Sequence, residues 1–590
     1  AARSGCLRAG LGWGAPALPS ALMWTTVLLA FLAALLSVSV ADLPARVLIA
    51  CVASRPRISS LSLLAKELQE VRGLDVTLAV PESAAAWPEV NSTSEARVIL
   101  AGAGGRGGAG AARSSADGDS SAYDRAVRRL SQMAGTWDYA ERVHADVARS
   151  QLMYEPLLKE FADNKPDLMI IDSQTFAAFD VAHTLDVPYI VHHGGLLDAP
   201  SFARSYVPAH GTGYSIKMRP WERCMNFIMP YLHSLALQPS LRQLNGFRAS
   251  RELPPVADHF QLWEEGLFVA STAFGLEHAR PLAPATELVG PIEHPGVVPC
   301  HAEPESSAAA GKDGQDAGDG VDDDATEADV MAWLNGVNDE VLLVSGLASL
   351  TAAQLVPLAD ALERSRKPVL WVGDAARRLE YGRAPKFRKF AARDGCCARF
   401  LDHSAISMVL AHCDLHEVHS TTLAGKPTVC LPATAQQLDV ATRLADAGAG
   451  VTIPIYAGST LDADANVDME TLSARASAAQ SVQAGQAAAA TALQLKTAIH
   501  DATQHTSQQR LARGVRHLAA TLKRAGGLKR AAHLVDTVIA LGTDHMRPLP
   551  MPWYTSMCLD VYCAGAATAV AVFIACRILF AMYNLLLRVC

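Results

Sequence analysis

Between Leu410 and Gly450 the chain reads LAHCDLHEVHSTTLAGKPTVCLPATAQQLDVATRLADAGAG, and no other stretch constrains the fold as much. A short apolar run ends at His412, and a helical stretch follows to about Ala424. Gly425 is placed to close that helix, and Pro427 cannot extend it. Thr428 to Leu431 then reads as a buried strand stopped by Pro432. Strand, helix, strand and helix at this spacing predict an α/β unit. Ligands of such units gather at the C-terminal ends of the strands.

The same alternation runs through the N-terminal half. Arg46–Cys51 and Val76–Val80 read as strands flanking a helix-period segment at about Ser59–Val71. Asp167–Asp172, a helix around Ala177–Leu185 and the strand Pro188–Val191 repeat the pattern, with His192-His193-Gly194-Gly195 at the end of that strand. Leu267–Ser271 and Glu287–Val289 read as closing strands. At 590 residues the chain has room for two sizeable domains. The expected division is a first α/β domain at 42–292, an acidic disordered linker at 293–329 and a second domain at 330–545. A low-complexity insertion lies near 474–492, and a basic amphipathic helix at about Leu511–Arg524 leads toward the membrane, where it would suit acceptors that partition into the bilayer.

Residues 1–22, rich in Arg, Gly, Ala and Pro, read as an upstream extension outside the fold. Residues 23–41 have the form of a signal peptide, with an apolar core from Val27 to Leu36 and Ser39-Val40-Ala41 as a cleavage site. Retention as a signal anchor is the competing reading. Residues 561–587 are long and apolar enough for a transmembrane anchor with a short tail, Arg577 being able to snorkel. Pro552-Trp553-Tyr554 supplies an interfacial anchor, and Arg577 with Arg588 favours a cytosolic end. This predicts a single-pass type I protein with its bulk in the secretory lumen, and the sequon Asn91-Ser92-Thr93 fits that placement. The 12 cysteines show no regular framework. Several lie in apolar runs (Cys51, Cys430, Cys563, Cys576), so free buried thiols are expected. A net charge of −8 gives no footprint for a nucleic-acid partner.

The Leu410–Gly450 segment resembles the signature of the UDP-glycosyltransferases, the family that includes the membrane-bound UDP-glucuronosyltransferases. His412, Gly425, Pro427, Pro432, Gln437, Gly448 and Gly450 match its pattern. Its paired glycines fall on Cys413 and Asp414, its Asn-Ser on His416 and Glu417, its glutamate on Ser420 and its aspartate on Gln436. Other landmarks follow in order: the Asp167–Val191 strand–helix–strand, Tyr206-Val207-Pro208, Trp221-Glu222-Arg223 with Asn226, Ala270-Ser271-Thr272 with Glu277 and Pro281, and Val289-Gly290-Pro291-Ile292. Arg547-Pro548, Trp553-Tyr554 and Leu559-Asp560-Val561 resemble the family's juxtamembrane segment. The resemblance implies the α/β GT-B architecture, two Rossmann-like domains facing a cleft, plus the C-terminal transmembrane helix. It also implies a UDP-sugar as co-substrate with no further cofactor, a small lipophilic acceptor, an endoplasmic reticulum membrane location, and homo- or hetero-oligomers with family members.

Inverting transfer from a UDP-sugar needs a base for the acceptor hydroxyl, a partner that orients the base, and groups that steady the departing diphosphate. By resemblance the base position falls on Arg57, which cannot act as a base because its pKa stays above about 12. The orienting acid falls on Asp172, which also suits a strand-end cap. His192 and His193 sit at a strand end facing the same crevice, and His193 is the substitute base carried forward. On the donor side the resemblance points to His412, Ser345, Gln437 and Gln436. Leu347 and Ala348 replace a glycine and a serine, and Asp394 stands where an aromatic would stack on uracil. Asp414 makes a good N-cap that would repel a diphosphate. His412, Cys413, His416 and His419 have a spacing that can bind Zn²⁺, but no second cluster supports it and no metal is expected. Two readings result. One is a transferase of hexosyl or glucuronosyl groups onto a lipophilic acceptor. The other is a catalytically inactive relative that binds a lipid or a partner.

Overall fold

The computed structural model describes residues 44–102, 137–293, 327–453, 497–546 and 559–589, less 53, 88–89, 91–95, 200–201, 346, 348–351, 366, 374–386, 391–397 and 498. The signal segment, the sequon, residues 294–326 of the acidic linker, the 474–492 insertion, Ala348, Asp394 and the Arg547–Tyr554 landmarks therefore lie outside the described residues, while the last three linker residues, 327–329, are not linker but the start of helix Glu327–Gly336.

Thirteen described strands form two sheets. β1 (Arg46–Ala50), β2 (Asp75–Val80), β3 (Arg97–Leu100), β4 (Leu168–Asp172), β5 (Tyr189–His193), β6 (Leu267–Ala270) and β7 (Thr286–Leu288) make a seven-stranded sheet in the order β3-β2-β1-β4-β5-β6-β7. β8 (Val341–Ser345), β9 (Val369–Val372), β10 (Phe387–Phe390), β11 (Ile406–Ala411), β12 (Thr428–Cys430) and β13 (Gly450–Thr452) make a six-stranded sheet in the order β10-β9-β8-β11-β12-β13. Every pairing in both sheets is parallel. Parallel sheets need helices on both faces, which is why the centres of β1, β4 and β8 read as apolar runs rather than alternating ones.

On the first sheet, Leu48, Ala50, Met169, Ile171 and Val191 pack under helices Trp137–Gln151 and Phe176–Leu185. Val47, Ile49, Ile170 and Ile190 face the opposite way, onto helix Arg55–Lys66 and helix Gly527–Leu541. That last helix belongs to the C-terminal part of the chain and returns to cover the first sheet. Helix Arg55–Lys66 starts four residues before the expected Ser59, because Pro56 is tolerated in a first turn, where no N–H is needed.

The sequence marks about Leu511–Arg524 as a basic amphipath leading toward the membrane; the structure has a longer helix, His505–Arg524, and places it differently. Its apolar residues Leu511, Val515, Leu518 and Leu522 are buried in the second domain's core, so only the basic face is left outside. Helix Leu559–Val589 contains a 24-residue stretch, Leu559–Met582, long and apolar enough to cross a membrane, and it packs against nothing in the described structure.

Candidate functional site

Each sheet reverses its strand order once, between β1 and β4 in the first and between β8 and β11 in the second. Chains leaving such a switch point diverge and open a crevice at the strand ends. The residues singled out in the sequence converge on these two places.

At the first crevice, Arg57 stands in the opening turn of helix Arg55–Lys66, and its Nη1 donates to Asp172 Oδ2 at 3.4 Å. The same oxygen accepts from Gln174 N at 3.2 Å and Thr175 Oγ1 at 3.5 Å, so Asp172 also stabilises the turn before helix Phe176–Leu185. Its Oδ1 is buried and has no partner. Burial pushes the Asp172 carboxyl above its ordinary range, an effect the guanidinium only partly offsets. Burial also works against the charge on Arg57, but Asp172 and Asp146 outweigh it and hold the group protonated. Asp172 therefore orients a cation rather than an imidazole.

β5 extends through His192 and His193 instead of stopping at Val191, and successive residues of a strand point to opposite faces. The two histidines are thereby separated. His193 turns into an aromatic wall, with ring centroids 5.2 Å from Trp263 and 5.3 Å from Phe268. Its Nδ1 pairs with Ser173 Oγ at 2.9 Å and its Nε2 donates to the Leu196 carbonyl at 2.8 Å. With both ring nitrogens engaged, His193 holds no lone pair ready for a substrate proton, which corrects the sequence expectation. His192 instead shares a face with Asp172, the two being paired in register on adjacent strands. Its Nε2 bonds Ser271 Oγ at 2.8 Å, while its Nδ1 is without a partner. Burial first, then the neighbouring His193 and Arg57, lowers its pKa to about 3, so the ring is neutral. A Cβ built on Gly194 would lie 3.5 Å from Arg57 Cγ and 3.8 Å from His192 Cε1, which places both side chains around that glycine.

At the second crevice, two of the three positions where the resemblance puts glycines, Leu347 and Cys413, keep a left-handed backbone without being glycine, while the third, Asp414, is extended at φ −60°. Leu347, just after β8, has φ +67°, and Cys413, just after β11, has φ +65°. Each conformation costs a non-glycine residue about 1–3 kcal/mol. Leu347 is fixed by full burial among Leu355, Trp371 and Leu410. Cys413 is fixed by a disulfide to Cys430, with Cα atoms 5.4 Å apart. The expectation of free thiols thus fails for Cys430, and Cys563 and Cys576 are exposed on the terminal helix rather than buried; Cys51 alone of the four is a free buried thiol. Nothing in the spacing of Cys413 and Cys430 marks a bridge, since only strand order brings β11 and β12 together.

His412 donates from Nδ1 to the Leu431 carbonyl at 2.8 Å, next to the disulfide. Asp414 occupies the N-cap position of helix Leu415–Leu423, but its side chain makes no cap bond; it accepts instead from Gln437 Nε2 at 3.1 Å. Gln437 is further committed to a capping box, its Oε1 accepting from Ala433 N at 2.8 Å and Thr434 N at 3.1 Å. Gln436, beside it, is half-buried. Ser345 closes β8 and is buried. The Zn²⁺ alternative is overturned: Cys413 is bridged, and His416 and His419 turn to Glu293 at 3.2 and 3.5 Å.

The two halves are clasped by Asp439, Glu277 and Glu293, of which the sequence singled out only Glu277, as a landmark and not as a clasp. Asp439, on helix Ala435–Asp446, accepts from Gly211 N and from Gly213 N at 2.8 Å. Glu277 accepts from Leu197 N at 2.7 Å and pairs with Arg280 and, across the cleft, with Arg443. Glu293, at the edge of the linker, accepts from Ser420 Oγ at 2.8 Å.

Comparison with known proteins fits this arrangement. A family model described as UDP-glucoronosyl and UDP-glucosyl transferase matches residues 337–472. The human 2-hydroxyacylsphingosine 1-beta-galactosyltransferase is 24% identical over 310 residues, covering 50% of this chain and 51% of that protein. Human UDP-glucuronosyltransferase 1A9 is 22% identical over 321 residues, covering 52% and 54%. The chain thus spans about half the length of the curated relatives it matches. Among solved structures, the calicheamicin glycosyltransferase CalG4 superposes with TM-score 0.53 at 16% identity over 85% of this chain and 99% of that one. Phytolacca americana UGT2, complexed with UDP-2fluoro-glucose and pterostilbene, gives TM-score 0.53 at 13% identity over 84% and 100%. At such identities the structural likeness shows the fold, which is GT-B.

Proposed function

We propose that this chain, a member of the UDP-glycosyltransferase family, transfers a hexosyl or glucuronosyl group from a UDP-sugar to a small lipophilic acceptor. The observation that carries the reading is the pair of left-handed residues Leu347 and Cys413. Strained backbone persists where the surroundings over-determine it, and such outliers cluster at ligand-holding sites. Here both follow the two strands that flank the switch point, which supports a donor loop whose backbone course persists at two of its three glycine positions. The lipophilic acceptor is supported by the galactosyltransferase relative, whose name gives a hydroxyacylsphingosine as its acceptor, and by the terminal apolar helix. Residence in the endoplasmic reticulum membrane with the bulk lumenal is part of the same proposal.

In this reading His192 replaces the missing base. Its Nδ1 lone pair takes the acceptor hydroxyl proton while the oxygen attacks the anomeric carbon and UDP departs from the opposite side. The nearby Arg57 guanidinium favours the developing oxyanion. A pKa of about 3 keeps the lone pair free but makes it a weak base, so turnover is expected to be slow. A second reading, a catalytically silent binder of a lipid or a partner, is favoured by a different observation. Asp414 and Glu417 both place carboxylates at the N-terminus of helix Leu415–Leu423, where a diphosphate would otherwise find a positive dipole.

Thermal stability followed against UDP and UDP-sugars separates the two. A ligand of the folded state raises the midpoint once it exceeds its dissociation constant. Transfer requires that rise, together with loss of product formation in His192→Ala. An unmoved midpoint at saturating nucleotide leaves the silent reading.

A further inference from the structure

Helix Pro220–Ala236 is apolar on its outward face as well as its inward one. Asn226, Met229, His233 and Ala236 point inward and are buried. The outward stripe, where a surface helix ordinarily carries charge, is Trp221, Cys224, Phe227, Ile228 and Tyr231. Trp221 is 50% exposed, Phe227 62% and Tyr231 66%. An aromatic patch of this extent on a soluble face marks an interaction surface.

We propose that this stripe docks on a lipid bilayer carrying acidic headgroups. Three features on the molecule select that partner. Trp and Tyr, each an apolar body with one polar tip, suit the boundary between headgroups and acyl chains. Lys217, Arg219 and Arg223 are exposed beside the stripe, and Glu222, the acid among them, accepts from Arg219 N at 2.6 Å and belongs to the helix cap. That cationic edge complements the anionic headgroups of an acidic bilayer. Helix Leu559–Val589 is further long and apolar enough to cross a bilayer, and with it inserted docking is an intramolecular event at high effective concentration. Helix His505–Arg524, which the sequence favours for this role, has already spent its apolar face on the core.

The inward face of the docked helix carries His233, whose ring lies 5.6 Å from Tyr139 and 6.0 Å from His210. Tyr139 in turn reaches Asp198 at 3.4 Å, and Asp198 lies 3.6 Å from His193. Docking would therefore bring the bilayer to one helix's thickness from the first crevice. That consequence, delivery of an acceptor dissolved in lipid, rests on the transfer reading; the docking does not.

The test uses the full chain in nanodiscs of phosphatidylcholine and phosphatidylserine, some of it brominated near the headgroup, with no nucleotide present. Subtracting the emission of Trp221→Phe from that of the wild type isolates Trp221. Docking predicts a Trp221 signal quenched roughly twofold or more by shallow bromines. Reversing Lys217→Glu and Arg223→Glu should relieve the quenching, each basic residue being worth about fivefold in surface occupancy. A Trp221 signal indifferent to brominated lipid overturns the proposal, including the case in which a second copy covers the stripe. Quenching that survives both charge reversals overturns the acidic-surface assignment. Because no UDP-sugar enters the measurement, its failure is distinct from failure of the transfer reading.

Discussion

The guanidinium of Arg57 meets the carboxylate of Asp172 at 3.4 Å, bridging 115 residues of chain across the β1/β4 switch point. The resemblance puts a histidine–aspartate dyad in this place; the molecule has put an ion pair there. The geometry of a partnership is kept and its proton chemistry is gone, because a guanidinium gives up no proton at ordinary pH.

Arg57→His should restore the missing half. A histidine there lies beside a buried carboxylate able to orient it, and a placed general base contributes about 10²–10⁴ in rate. The expected outcome is a rise of at least about tenfold in kcat for UDP-sugar transfer. Arg57→Gln is the counterpart: it strands a buried carboxylate and should cost about 3 kcal/mol by chemical denaturation. A kcat that does not move in Arg57→His would show that the base is not what limits turnover.

Cys413→Gly, combined with Cys430→Ala, exchanges a bridge for a glycine at a left-handed position. Losing a disulfide that closes a 17-residue separation costs about 3 kcal/mol, and relieving φ +65° returns about 1 kcal/mol. A net loss of about 2 kcal/mol is expected in urea unfolding. Nucleotide affinity should move the opposite way, because the backbone N–H groups of the loop become approachable. Calorimetric titration with UDP reads that second effect.

The Glu293–His416 contact predicts a pH window. Burial alone would raise the Glu293 pKa, but His416 and His419 outweigh it and bring it down to about 2. Burial alone would lower the His416 pKa, and Glu293 outweighs it and raises it. The depressed acid contributes stability above its ordinary value of 4.5, lost as pH falls toward 2. The raised histidine contributes stability below its ordinary 6.5, lost as pH climbs through its folded value. The contact is therefore strongest between 4.5 and 6.5. Thermal midpoints of wild type and Glu293→Gln should differ most in that window and converge in alkali. A gap that is constant with pH would dismiss the ionic account.

Gly213 sits at φ +62° under helix Ala435–Asp446, and a Cβ there would fall 2.4 Å from Leu438 Cδ2. Gly213→Ala should push the loop off Asp439, which accepts from Gly213 N at 2.8 Å. A destabilisation of about 2–3 kcal/mol is expected, strain and the lost bond together. Hydrogen exchange should report it as faster exchange in residues 210–216. Wild-type protection there would mean that the two domains do not depend on this seat.

The expected strands appear within a residue or two, because a parallel strand buried on both faces leaves an unbroken apolar run that sequence alone displays. Helix Leu415–Leu423 ends as expected, Gly425 taking φ +73°. Helix His505–Arg524 was legible as amphipathic, but its partner was not, since an apolar stripe fits a core and a bilayer equally well until the chain has folded. The apolar stripe of helix Pro220–Ala236, by contrast, stays outside the core and is exposed.

The sequence by itself determined the two α/β sheets and the terminal apolar helix, because each is a matter of residue type and local period. Tertiary structure decided the rest. Alternation along β5 sent His192 toward Asp172 and His193 into Trp263 and Phe268. Strand order made a disulfide of Cys413 and Cys430. Closure of the cleft set Glu293 on His416, and Gly211 and Gly213 on Asp439. Each of these relationships depends on which face a side chain takes and which distant strand lies beside it, and those are fixed only when the whole core packs.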